Sequence, residues 1–217
     1  MTTSTGLIVL HTTKFGENSV IVHTLSREYG RRGVLVRGLG KKSSMAFFQP
    51  LSLIEADITV SSRSELYTAR RFFSRHPLNG IRSSMSKNAM SMFMAEVLFR
   101  TLKDGTTDQN LFDWCERNIM LLDAIEQDFS NFHIRFLLEF AIALGFRPES
   151  HNMEPFTGDL HDIARKFISS SFAESMIIPL TGAVRNELAE KIIRYIEFHT
   201  ESAINVNSLK VLRELFA

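Results

Sequence analysis

Six basic side chains fall between Arg27 and Lys42, in the string REYGRRGVLVRGLGKK, against one acid, Glu28. Long cationic side chains on short strands and flexible loops suit the regular phosphates of a nucleic-acid backbone. Glycines at 30, 33, 38 and 40 let such loops come close to a ligand. A second basic stretch, Arg70-Arg71 with Arg75, lies further along. The candidate contacts are therefore Arg27, Arg31, Arg32, Arg37, Lys41, Lys42, Arg70 and Arg71. Phe47, Phe48, Tyr67, Phe72 and Phe73 are interleaved with this charge. Exposed aromatic rings stack on bases, whereas buried ones only fill a core. The competing reading is a solvated cationic face over a Phe-rich interior.

The net charge of +1 conceals an asymmetry. Residues 1–82 hold twelve Lys+Arg and five Asp+Glu, a balance of +7, and the remainder balances at −6. Such a division points to an anionic partner for the N-terminal part.

Other chemistries fail on inspection. Gly33–Ser43 looks superficially like a phosphate-binding loop, but the Gly40-Lys41 step would need Gly where Leu35 stands and Ser or Thr where Lys42 stands. Glu55 and Asp57 share one strand face, more consistent with solvation than with acid–base catalysis. His11, His23 and His133 read as structural, and His151 and His161 lie ten apart without cysteine support. No Ser–His–Asp or Cys–His signature is present. The expectation is no enzyme, no metal and no cofactor. The single Cys115 excludes an internal disulfide framework. No apolar stretch reaches a spanning length, so the expected location is the cytoplasm, without a membrane partner.

The elements that would carry the basic residues read as strands. Leu7–Thr12, Val20–Leu25, Val34–Arg37, Leu51–Val60 and Leu66–Phe73 are short β-branched or apolar runs separated by Gly and Ser turns. Five such strands in about 75 residues suggest a small OB-fold barrel. The period then becomes helical. Met90, Phe93, Met94, Val97, Leu98 and Leu102 form one stripe, and a second helix starts near Asp108. A third, from about Ser130 to Leu144, is apolar nearly all round and so central. Residues 146–158 hold two Pro and a Gly and read as a loop. Helices are expected at 159–170, 182–200 and 207–216. The fold class is α+β in two domains: a five-stranded OB-fold barrel over 1–78, then an all-α domain over 79–217.

The stretch Gly6–Arg37 resembles the N-terminal domain of the RecO family, bacterial DNA repair and recombination mediators. The resemblance rests on Val9-Leu10-His11, Gly16-Glu17 with Ser19, the Glu28-x-Gly30-Arg31 turn and the basic loop leading to Gln49-Pro50. Asn131-Phe132-His133 with Arg135-Phe136, and the closing Ser208-Leu209-x-Val211-Leu212-x-Glu214-Leu215, fit the family's helical part. The resemblance implies binding to single- and double-stranded DNA, annealing of complementary strands, and RecA loading with RecR onto DNA coated by single-strand-binding protein. It also implies a nucleoid-associated place in the cell. The chain departs from the family in lacking the four-Cys zinc site of some members, and its loop after Gly38 is short. The family's partners include the acidic-apolar tail of single-strand-binding protein, which implies an apolar pocket with a cation at its rim. Arg135, the only Lys or Arg on the apolar helix, is the candidate. A salt bridge to Glu139 or to another helix accounts for Arg135 equally well. The alternative function is a protein-interaction adaptor whose basic patch is incidental.

Overall fold

The computed structural model describes residues 2–38, 45–60, 66–105 and 107–216. Five strands come first: β1 (Thr2–Lys14), β2 (Ser19–Ser26), β3 (Gly30–Arg37), β4 (Leu53–Thr59) and β5 (Tyr67–His76). They close in the order β1-β2-β3-β5-β4. β1 serves two neighbours. Its residues 7–14 pair antiparallel with β2, and its residues 2–8 pair antiparallel with β4. The ring is completed by β5, antiparallel to β4 and parallel to β3 through Val34↔Tyr67 and Leu35↔Thr68. This is the OB-fold that the sequence predicts.

Alternation along each strand fills the barrel. Leu7, Val9, Val20, Val22, Val34, Val36, Ile54, Ala56, Ile58 and Ala69 are buried in one cluster with Phe48. Tyr29, Phe47, Tyr67 and Phe72 pack against it. Four of the five aromatic residues singled out from the sequence thus belong to this interior, and Phe73 is 63% exposed.

The helices are α1 (Asn79–Ser83), α2 (Met85–Thr101), α3 (Gln109–Ala124), α4 (Phe132–Ala143), α5 (Ser150–Thr157), α6 (His161–Ser169), α7 (Phe172–Met176), α8 (Gly182–Thr200) and α9 (Ser208–Leu215). The chain forms two compact units. One is the barrel up to Asn79 with Leu102–Met120, and the other is Gly80–Thr101 with Leu121–Ala217. Residues 146–158 depart from the expected loop, because α5 lies there. Glu149 and Asn152 form a reciprocal capping box at its start. Buried Met153 and Thr157 anchor one face, while Pro155 removes only one backbone donor from a two-turn helix. Two large apolar side chains in eight residues, Met153 and Phe156, are too few to show a period.

In the helical unit, α4 is buried along Phe132, Ile134, Phe136, Leu137, Leu138 and Phe140. A polar node holds its N-terminal end. Asn131, 1% exposed, donates its amide to the carbonyls of Ser175 (3.0 Å), Met176 (3.3 Å) and Ile178 (2.8 Å). Its own oxygen accepts from Arg185 Nε at 2.9 Å. Arg185 also donates to the carbonyls of Leu180 (2.9 Å) and Phe216 (3.1 Å). Glu96 on α2 accepts from the Ser208 backbone and hydroxyl, fixing the start of α9. Although burial opposes it, these bonds hold the Glu96 carboxyl below its ordinary pKa.

Asn131→Leu would strip partners from a buried guanidinium and three carbonyls. A loss near the upper end of the buried-polar range, about 3 kcal/mol, is expected in urea unfolding. His133 lies edge-on to Phe93, with ring centroids 5.8 Å apart, and is fully buried. Burial, with Arg185 nearby, pushes its pKa from 6.5 down to about 3. The folded state therefore keeps His133 neutral, while the unfolded chain takes up a proton below 6.5. Its contribution is fully present above that value and falls by about 1.4 kcal/mol per pH unit as the solution is acidified toward 3. Urea midpoints near pH 7 and pH 5 should differ less in His133→Leu than in the wild type.

Candidate nucleic-acid interface

The barrel sorts the candidate arginines by the direction each strand residue faces. Arg27, at the end of β2, pairs with Asp113 on α3 and places its guanidinium 5.5 Å from the Phe112 ring. Arg31 donates to the Leu102 carbonyl at 3.0 Å and pairs with Asp104 at 2.9 Å, leaving its side chain 16% exposed. The backbone follows the same contact, since Gly105 N–H donates to the Arg31 carbonyl at 3.1 Å. Arg32 lies over Tyr67, 5.4 Å from the ring centroid, and against Gly105. A Cβ at Gly105 would meet that guanidinium at 3.0 Å, and its φ of +85° also favours glycine. Arg75 pairs with Glu116 at 2.6 Å. The acids of the segment that follows α2 thus neutralise much of the N-terminal positive charge.

Arg37, Arg70 and Arg71 are exposed, as is Arg75 despite its pairing with Glu116. Arg37 is two residues beyond Leu35, and Arg70 is two beyond Thr68, the partner of Leu35 across the parallel pair. Equal steps along parallel strands bring both to the same outer face and the same level. The register between β4 and β5 shifts at Ala56/Asp57, and Arg71 has a φ of +52°. This bulge turns two consecutive residues outward, so Arg70 and Arg71 both reach solvent. Arg71 approaches Asp57 at 3.8 Å, and neither Arg37 nor Arg70 forms a salt bridge among the described residues. Lys41 and Lys42 lie outside the described residues.

The remaining surface of β1, β2 and β3 is less charged. His11 and His23 are cross-strand neighbours with ring centroids 5.9 Å apart. Burial, then the neighbouring His11 and Arg31, lower the His23 pKa. Gly33 is covered, since a Cβ there would lie 2.7 Å from the Leu66 side chain. Glu55 accepts from Ser4 at 3.0 Å, and Asp57 faces Arg70. Among the described residues, no three metal-ligating side chains gather. No helix among them is long and apolar enough to cross a membrane. Burial pushes the Cys115 thiol pKa up, which suppresses the reactive thiolate.

In the helical unit, Arg135 donates from Nε to Glu139 at 2.6 Å and from Nη1 to the Ser170 carbonyl at 2.8 Å. A longer bond reaches the Phe167 carbonyl at 3.4 Å. The salt bridge weighed from the sequence is therefore present, and the side chain also caps the end of α6. Arg135 nevertheless lines a cavity of about 220 Å³, with Leu138, Ile142, Pro148, Phe167 and a second cation, Arg147.

The two kinds of arginine should separate on substitution. Arg31→Ala removes a charge-assisted bond to a carbonyl and an ion pair, an expected loss of about 1–3 kcal/mol in thermal or urea unfolding. Arg37→Ala, at an exposed position, should stay within about 0.5 kcal/mol of the wild type.

The family model described as Recombination protein O N terminal matches residues 1–74, and that described as Recombination protein O C terminal matches residues 82–153. A protein named DNA repair protein RecO from Azobacteroides pseudotrichonymphae is 25% identical, covering 98% of each chain. One of the same name from Flavobacterium psychrophilum is 27% identical over 100% of each chain. Another, from Phocaeicola vulgatus, is 36% identical over 67% of this chain and 61% of its own.

Proposed function

The chain belongs to the RecO family of DNA repair proteins, and from that premise we propose that its barrel binds DNA through the phosphate backbone. The observation that carries this reading is the grouping of Arg37, Arg70 and Arg71 on one outer face, apart from the arginines held by Asp104, Asp113 and Glu116. Backbone contacts of this kind are indifferent to sequence and serve single and double strands alike. On this reading the protein is a non-catalytic mediator. It anneals complementary strands by lowering the repulsion between their phosphates. With RecR it helps RecA replace single-strand-binding protein.

The cavity beside Arg135 supports a second contact, to the C-terminal tail of single-strand-binding protein. An acidic tail with an apolar residue needs an apolar recess and a cation. Leu138, Ile142 and Phe167 line such a recess, and Arg135 and Arg147 border it together with Glu139 and Glu149. Arg135 keeps Nη2 without a hydrogen bond among the described residues, which leaves a donor for a carboxylate.

Fluorescence anisotropy with an oligo-dT strand across a salt series tests the first contact. Each phosphate neutralised contributes roughly −0.7 to the slope of log affinity against log salt. Converting Arg37, Arg70 and Arg71 together to Ala should flatten that slope by about 2 while the melting temperature holds. An unchanged slope refutes the site, and a wild-type affinity indifferent to salt favours the adaptor reading. For the second contact, calorimetry with a synthetic tail peptide should show lost binding in Arg135→Ala, with DNA affinity retained. Unchanged peptide affinity makes Arg135 purely a cap on α6.

A further inference from the structure

We propose that Phe15 is a stacking platform for an unpaired base and gives the barrel its preference for single strands over duplex. This rests on reading Arg37, Arg70 and Arg71 as backbone contacts. Phe15 is 50% exposed at the tip of the β1–β2 hairpin. Its N–H donates to the Ser19 carbonyl at 2.9 Å, extending the ladder by one step past Lys14↔Val20. Ser19 is in turn opposite Arg37 on β3, and Gly38 N–H donates to the Asn18 carbonyl at 2.9 Å. The hairpin tip is therefore tied to the end of β3 that carries Arg37. Across the strands the order is Phe15, Ser19, Arg37, Arg70, at about 5 Å per strand step. The row spans about 15 Å by the same spacing, enough for a few nucleotides of a single strand.

Gly16, next in the chain, has a φ of +74°, and beyond its chain neighbours no atom lies within 4 Å of where its Cβ would be. The hairpin's own charges, Lys14 and Glu17, offset one another. Phe73, the other exposed phenylalanine on the barrel, is less suited to a base. It is paired directly across the strand with Glu55. Carboxylates beside a ring repel the phosphates that must accompany the base. An aromatic ring at the end of a cation row stacks on any base whose face is open. In a duplex those faces are already occupied, so Phe15 contributes there only as bulk.

The test uses the full chain, an oligo-dT strand and a blunt duplex of equal length, followed by anisotropy. Phe15→Ala should weaken single-strand binding about tenfold or more and leave duplex affinity within about twofold. Phe15→Trp should retain affinity, and its emission should be quenched by the strand beyond any change in the wild type, which carries Trp114. Equal effects of Phe15→Ala on both DNAs, no effect on either, or an unquenched Phe15→Trp overturn the stacking role. The triple alanine variant at Arg37, Arg70 and Arg71 keeps the two readings apart. If it loses both DNAs while Phe15→Ala binds normally, only the stacking inference fails. If it binds both normally, the path across the row is wrong.

Discussion

A five-strand barrel closes only if every strand hydrogen-bonds along both of its edges, and β1 does so along two successive stretches of its length. Thirteen residues allow its first half to pair with β4 and its second half with β2, with Leu7 and Ile8 shared between the two ladders. Everything said of the outer surface follows from this. Closure fixes which alternate residues point inward, so the valines of β2 and β3 are committed to the barrel interior and their neighbours to its outer face. It also sets the level at which β5 meets β3, which brings Arg37 and Arg70 side by side.

The second constraint is electrostatic. Half-buried guanidinium groups need acids or carbonyls, and residues 102–120 supply them. Arg27, Arg31 and Arg75 are held by Asp113, Asp104 and Glu116. A strongly basic N-terminal sequence therefore becomes a modest exposed patch, of which Arg71 still touches Asp57. The helical unit applies the same rule to one residue. Arg185 is buried because Asn131 and two carbonyls surround it, and Arg135 stays at a cavity edge because its own partners occupy only part of its fork.

The barrel was legible in the sequence because period-two alternation and Gly-rich turns are local signals. The strands from Val20–Leu25 and Val34–Arg37 appear with ends moved by only a few residues. The central helix was legible because it is apolar on every side. Helix α5 was not, since a proline and only two large apolar residues leave no clear period, although a capping box starts the helix. The charge count located the basic part of the chain but not which of its arginines are paired, because the pairing partners lie some 40 to 90 residues away in sequence. Phe15 escaped notice for a related reason. It stands outside the basic stretch, and only the hairpin register places it near Arg37. The parity of Arg70 and Arg71 was equally hidden, since an unbulged strand would have turned one of them inward.

Among the described residues, the junction of β3 with β5 joins by two residue pairs, whereas the neighbouring ladders run to seven or eight. It is the shortest seam of the ring, and Arg37 and Arg70 flank it. Repulsion between these two like charges works against the seam when no anion is present. An anion that bridges them reverses the sign of that contribution and staples the seam. Occupancy and local opening of the barrel are then coupled through one equilibrium. Amide hydrogens near Val34 and Thr68 thus become reporters of whether the outer face is filled.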